Sequence, residues 1–386
     1  KKGTVVMRES DKDKKVSSYS VVPIRAVTGL LEKNSATGSS LFKTKLGKLW
    51  DVSDKIAIEF IVEIEKRFRS KNKRFGNFSS VTASLPRELK TYCKSDDKVV
   101  DKNFSTFCQG VLDGLAHGAD EATASAAAGG NVVIMHYSSY EEESLGRVLI
   151  VLLEKRGMFD FDSDMRPEKF DLIDTKAMKQ AALIDVELFD VSFPGNQGEA
   201  YLRFIEGSSK ADFFKTALGC NEKIDNEKSV QELDAAVSKF INDHSIDLDL
   251  AEEIKEGVKK LLIDHSKPNS PPLNIGSVQK RIDKILPEDS ELKGSFTAFV
   301  NENEFEVNEW ISPTNYQANK VGKIVLKDDN KSYDVEVSEN SIGSMDSNKP
   351  VKITEDGQYL CFPVSGEKRR AIMRLVGKMM DKDDET

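Results

Sequence analysis

Val132-Val-Ile-Met135, Val148-Leu-Ile-Val-Leu-Leu153, Phe170-Asp-Leu-Ile173, Ala182-Leu-Ile-Asp-Val-Glu-Leu-Phe189 and Tyr201-Leu-Arg-Phe-Ile205 are the runs on which the fold turns. Each is short, rich in β-branched and aromatic residues, and bounded by Gly, Ser or Asn, which is the pattern of strands. A parallel pair needs a crossover of about a dozen or more residues, usually a helix. The gaps between these runs leave no room for a series of such helices. A largely antiparallel sheet is predicted, with helices packed on one face.

The helices lie upstream. Ile56, Phe60, Ile64 and Phe68 recur every fourth residue with Ile61 beside them, an apolar stripe. Ser53 or Asp54 is its predicted N-cap and Gly76 its stop. Phe104, Phe107, Cys108, Val111, Leu112 and Leu115 form a second one-sided face, which runs out in an Ala-rich stretch ending at Gly129-Gly130. The first 50 residues are read as one or two strands joined by a loop around Asn34 to Ser40.

Downstream, Val230, Leu233, Val237, Phe240 and Ile241 form one helical stripe, and Leu250, Ile254, Val258, Leu261 and Leu262 another. Lys267-Pro-Asn-Ser-Pro-Pro272 reads as a linker, followed by a short helix that Pro287 ends. Alternation returns in Lys323–Lys327, Tyr333–Val337, Val351–Ile353 and Tyr359–Phe362, with turns at Asp328-Asp-Asn330 and Asp356-Gly357. A basic helix, Glu367 to Met380, closes the chain. The class is α+β. The predicted division is an N-terminal α+β domain, 1–222, and a C-terminal domain, 223–386, helical over 223–312 with a small antiparallel β unit and basic tail helix over 313–386. At about 150 residues per domain, 386 residues agree with two or three domains.

With 39% hydrophobic residues the chain can build cores, which argues against wholesale disorder. No apolar run approaches the ~18 residues of a membrane span, and Lys1-Lys-Gly-Thr4 has no apolar h-region, so neither secretion nor membrane insertion is expected. Cys93, Cys108, Cys220 and Cys361 form no CxxC pair, and His117, His136, His244 and His265 complete no zinc spacing with them. No metal and no cofactor are expected, and scattered thiols fit the cytoplasm.

Lys and Arg number 56 against 65 Asp and Glu, a net charge of −9. Any polyanion-binding surface must therefore be local. Lys66-Arg-Phe-Arg-Ser-Lys-Asn-Lys-Arg-Phe-Gly76 concentrates Lys66, Arg67, Arg69, Lys71, Lys73 and Arg74, six cations in nine residues, interleaved with Phe68 and Phe75. Such density suits phosphate oxygens; basic residues at a helix C-terminus are also favoured by the macrodipole alone. Lys368-Arg-Arg370, continued by Arg374, is a second basic stretch, with Arg370 and Arg374 on one side of the predicted tail helix.

No GxxxxGK[ST], GxGxxG or GxSxG is present. Asp185 and Glu187 would share one face of a strand and, with Asp174, could hold Mg²⁺ in a metal-dependent nuclease, although the Lys of the common nuclease pattern does not follow. His136 and His117 read more simply as packed or surface residues than as bases.

Taken in order, Lys71-Asn-Lys-Arg-Phe-Gly76, Gly130-Asn-Val-Val-Ile-Met-His-Tyr137, Leu183-Ile-Asp-Val-Glu187, Tyr201-Leu-Arg-Phe-Ile-Glu-Gly207 with Lys210-Ala-Asp-Phe-Phe-Lys-Thr-Ala-Leu-Gly219, and Ser295-Phe-Thr-Ala-Phe299 resemble the bacterial nucleoid-associated protein family NdpA/YejK over roughly residues 20 to 375. The resemblance implies a cytoplasmic, non-catalytic DNA-binding protein of the bacterial chromosome and supports Lys71 and Lys73 as DNA-binding residues. The chain departs from the family in its longer region up to Gly47 and in the Ala-rich insertion.

The expected function is sequence-tolerant binding of double-stranded DNA by Lys66, Arg67, Arg69, Lys71, Lys73, Arg74, Lys368, Arg369, Arg370 and Arg374, as a homodimer at the nucleoid, with a further protein partner as an option. Two alternatives stand beside it. One is an acidic protein-interaction scaffold or defence-system component, favoured by Glu141-Glu-Glu143, Asp160 to Asp164 and Glu302 to Glu309. The other is the nuclease.

Overall fold

A computed structural model describes residues 20–33, 42–80, 83–121, 129–139, 144–153, 155–161, 167–173, 178, 180–195, 199–205, 212–327 and 332–383. The expected loop at 34–40, the Ala-rich stretch at 122–128, most of the acidic run at 141–143 and 162–164, Asp174 and the turn at 328–330 lie outside them.

The chain opens with β1 (Val22–Lys33), β2 (Phe42–Leu49), α1 (Lys55–Arg69), β3 (Arg74–Phe78), α2 (Ser84–Cys93), α3 (Val100–Glu121), β4 (Gly130–Ser138) and β5 (Arg147–Leu153). A hairpin of β6 (Lys155–Phe161) and β7 (Pro167–Ile173) follows, then β8 (Gln180–Asp185), α4 (Val186–Ser192), β9 (Leu202–Ile205), α5 (Asp212–Ala217) and β10 (Cys220–Glu222). Next come α6 (Asn226–Asp243), α7 (Leu248–His265), β11 (Leu273–Asn274), α8 (Ile275–Ile285), α9 (Phe296–Glu302), β12 (Trp310–Ile311) and α10 (Asn315–Lys320). The last are β13 (Lys323–Lys327), β14 (Asp334–Ser338), β15 (Ile342–Ser344), β16 (Val351–Ile353), β17 (Leu360–Cys361) and α11 (Gly366–Asp383).

The chain divides into two compact units, Lys1–Ala236 with Pro271–Ser312, and Val237–Ser270 with Pro313–Thr386. Residues 271–312 thus return to the first unit. There the Lys73 carbonyl accepts from the Glu309 N–H at 3.0 Å, and Asn308 bridges to Lys73 in parallel.

The first unit is built on an eight-stranded sheet ordered β10-β3-β9-β8-β5-β4-β1-β2. Every neighbouring pair is antiparallel, both those joined by short connections (β1–β2, β4–β5) and those farther apart in the chain (β5–β8, β8–β9, β1–β4, β3–β9, β3–β10). All seven residues of β5 are buried, and a strand apolar on both faces needs cover on both. Val148, Ile150 and Leu152 join a core with Leu89 and Tyr92 of α2 and Phe104, Phe107 and Leu112 of α3. Leu149, Val151 and Leu153 join a second core with Ile61, Ile64 and Phe68 of α1. The helices therefore cover both faces, where the sequence reading placed them on one.

Asp54 caps α1 as expected, accepting from the Ile56 N–H at 2.9 Å. Gly76 does not stop it. The helix ends at Ser70, and Gly76 sits inside β3, where a Cβ would lie 2.2 Å from the Asn221 carbonyl oxygen. Only a residue without a side chain lets β10 pair there. The predicted strand 182–189 also ends early: Asp185 turns its carboxylate onto the Leu188 N–H and caps α4.

In the second unit, Asp247 caps α7, whose Ile254, Val258 and Leu262 are buried. The small β elements are the antiparallel pairs β13–β14 and β16–β17 together with one parallel pair, β15–β16.

Candidate nucleic-acid interface and the ion network beside it

The six cations of 66–74 do not form one face. Lys66 and Lys71 are exposed, with no acidic partner among the described residues. Arg67 pairs with Glu63 one turn earlier. Arg74 lies between Glu222 at 3.3 Å and Glu309 at 3.5 Å. Arg69 donates to the Glu302 carbonyl. Lys73, only 7% exposed, donates to the Arg69 and Lys71 carbonyls at 2.8 and 3.0 Å, with its ammonium 5.3 Å from the Phe68 ring centroid. Burial, reinforced by the positive Arg203 nearby, lowers this amine to about 7. Of the two lysines that the resemblance supports as DNA-binding residues, only Lys71 faces solvent.

Those inward cations meet the segment after α9. Glu304 accepts two hydrogen bonds from Arg147, at 2.7 and 3.4 Å, and has Arg203 at 4.0 Å. Burial alone would raise its carboxyl. The Arg147 hydrogen bonds and the charges of Arg147, Arg203 and Arg69 outweigh that and hold it at about 2. Glu65 is 2% exposed on the same side of α1 as Ile61, Ile64 and Phe68, with its Oε2 unpartnered. Burial pushes this carboxyl up to about 7 despite Arg69 and Arg147.

Sequence reasoning missed Glu65, Arg147, Arg203 and Glu304 as a group. The signal was a charge embedded in an apolar pattern: Glu65 within the helical stripe, Arg147 at the head of an all-apolar run, Arg203 between Leu202 and Phe204.

The tail differs. Lys368, Arg369, Arg370 and Arg374 are all exposed on α11, as are Ile372, Met373, Leu375 and Val376.

The nuclease geometry is not formed. Asp185 is a helix cap, and Glu187 accepts from the Ser144 N–H and hydroxyl and the Leu145 N–H at 2.5, 2.8 and 3.2 Å, which outweigh burial and lower its carboxyl. Among the described residues no group of three or more His, Cys, Asp or Glu could hold a metal ion. His136 is packed: its Nε2–H donates to the Leu145 carbonyl at 2.8 Å, so Nδ1 accepts from the Tyr92 hydroxyl at 2.5 Å. Burial lowers this imidazole to about 4.

The acidic run 302–309 is likewise consumed in part, with Glu306 on Lys228 and Glu309 on Arg74. A groove of about 560 Å³ beside it is lined by Glu199, Asp225, Glu227, Glu232 and Glu306 against Lys223 and Lys228.

Known proteins match this arrangement of segments. A nucleoid-associated protein of Pseudomonas paraeruginosa is 22% identical over 277 residues, covering 69% of this chain and 75% of its own. One from Pseudomonas aeruginosa is 23% identical over 277 residues, 69% and 76% of the two chains, and one from Pseudomonas fluorescens is 23% identical over 248 residues, 62% and 69%. The profile of the nucleoid-associated protein YejK family matches residues 31–354, from the end of β1 through the other seven strands of the large sheet and the network around Glu304. The chain belongs to the nucleoid-associated protein YejK family.

Proposed function

We propose that the protein binds double-stranded DNA along its phosphate backbone, tolerant of sequence and without catalysis, as a homodimer at the nucleoid. The observation that carries this reading is the set of cations left in solvent: Lys66 and Lys71 in the first unit, and Lys368, Arg369, Arg370 and Arg374 on α11. In a chain of net charge −9 these groups are neither buried nor spent on carboxylates among the described residues. Arg67, Arg69, Lys73 and Arg74 are engaged instead with Glu63, the Glu302 carbonyl, the Arg69 and Lys71 carbonyls, and Glu222 with Glu309, respectively. Family membership carries a nucleoid, hence cytoplasmic, location. Affinity arises from counterions released when Lys and Arg neutralise phosphates. Dimerisation brings two copies of each exposed group onto one duplex.

The test is duplex binding by fluorescence anisotropy in a salt series. Arg370→Glu with Arg374→Glu is expected to weaken binding to unrelated sequences alike. It should make the slope of log K against log salt shallower by about 0.9 for each phosphate no longer neutralised. Lys66→Glu with Lys71→Glu should act in the same way. Unchanged binding in both double variants would reject the assignment.

The acidic groove favours a second reading, capture of a basic peptide. Saturable binding of a poly-lysine peptide that competes with no DNA would support it.

A further inference from the structure

We infer that the cavity between α1, the β5–β8–β9 part of the sheet and the Glu304 turn is a binding site for a small monatomic anion of the chloride class. Its volume is about 20 Å³, room for a body of about water size, which needs about 10–15 Å³; a phosphate is too large. Among the described residues that line it, Arg69, Lys73, Arg147 and Arg203 face only two carboxylates, Glu65 and Glu304. Buried charge is tolerated only when compensated, and Glu304 alone is firmly ionised. Arg203 is 9% exposed, and its buried Nε–H has no hydrogen-bond partner, as Glu65 Oε2 has none. Lys73 spends two of its three donors on carbonyls. Arg69, Glu304 and Phe305 keep partial exposure and form the mouth.

A halide here would accept from the Arg203 Nε–H and from Lys73. Protonated Glu65 would supply a further donor rather than a repelling charge. Because both Glu65 and Lys73 change charge near neutrality, the site takes up protons with its ion. The other charged groups facing the cavity are the guanidiniums of Arg69 from α1, Arg147 from β5 and Arg203 from β9, a group that proteins do not deprotonate, and the firmly ionised Glu304, so the affinity falls as pH rises past about 7.

The experiment uses the full chain without DNA, at constant ionic strength, replacing gluconate by chloride. Chloride is expected to raise the unfolding midpoint saturably and to show excess broadening of its ³⁵Cl resonance, and phosphate in place of chloride to have no such effect. Arg203→Lys keeps the charge opposite Glu304 but lacks the Nε–H, and should reduce the broadening at least tenfold. Should that variant fail to fold, the wild-type broadening decides: it must fall at least tenfold from pH 6 to pH 9. No saturable chloride effect, or equal broadening in Arg203→Lys, would overturn the site and identify the cavity as a water site. A response to phosphate but not chloride would overturn the class of ligand.

Discussion

Glu304→Gln removes one charge from the centre of the ion network and leaves its shape, so its cost can be worked from the structure. A carboxyl with an ordinary value of 4.5 that is held at about 2 is stabilised in its ionised form by about 3 kcal/mol, at about 1.4 kcal/mol per tenfold. Independently, removing one partner of a buried pair costs about 3–5 kcal/mol, because the remaining charge is left uncompensated. Here that charge is Arg147, whose side chain is 7% exposed. The two routes meet at about 3–4 kcal/mol. Glutamine keeps the backbone conformation, which matters because Glu304 has φ +58, in the left-handed region; glycine would mix relief of that conformation with loss of the charge. Urea unfolding at pH 7 measures the difference. The pH dependence supplies the signature. The folded value lies below the unfolded one, so the contribution is present above 4.5 and is lost as pH falls towards 2. Wild type should lose stability across that window and Glu304→Gln should lose about 3 kcal/mol less. A cost under about 1 kcal/mol at pH 7, with the acid limb unchanged, would refute the network as described.

Glu65→Gln should act in the opposite sense: with the folded carboxyl raised from 4.5 to about 7, its contribution is lost as pH climbs through that window. The variant should therefore exceed wild type by as much as about 3 kcal/mol at pH 8, and a wild-type slope surviving in it would defeat the assignment. His136 opposes this. Its value is lowered from 6.5 to about 4, so its contribution is full above 6.5 and is lost as pH falls to about 4; an NMR titration of its ring protons with a midpoint near 6.5 would contradict its burial. Phe107→Ala, at a fully buried site, should cost about 3–5 kcal/mol in urea unfolding. Asp185→Ala should cost about 1 kcal/mol as a lost cap and leave DNA affinity unchanged; a loss of Mg²⁺-dependent plasmid cleavage on this substitution would revive the nuclease reading.

The elements with one clean period were legible. The α3 face from Phe104 to Leu115 is buried at each position named from the sequence, and β4, β5 and β9 fall on the quoted runs. The antiparallel sense followed from connection length for β1–β2 and β4–β5, whereas the pairing of β1 with β4 and of β3 with β9 and β10 joins segments remote in the chain. What escaped depends on partners remote in sequence. Lys73 and Arg69 look like a solvated cluster until residues 302–309, about 230 positions later, pack on them: the Glu302 carbonyl accepts from Arg69, and the Glu309 N–H donates to the Lys73 carbonyl. Asp185 was a visible break, since a capping carboxylate inside an apolar run can end a strand as well as point from it. The helix α2 was also within reach, because Leu85, Leu89 and Tyr92 stand at helical spacing and are all buried. Lys66, Lys71 and the tail cations were legible as charge but not as surface, since exposure depends on what packs nearby.

Whether the protein grips DNA along its backbone is decided by the wild-type affinity for two duplexes of unrelated sequence, measured from low to moderate salt. Backbone binding predicts equal affinities falling on one straight line of log K against log salt, steeper by about 0.9 for every phosphate neutralised. Absence of binding at low salt, or an affinity for one sequence that barely responds to salt, would contradict it.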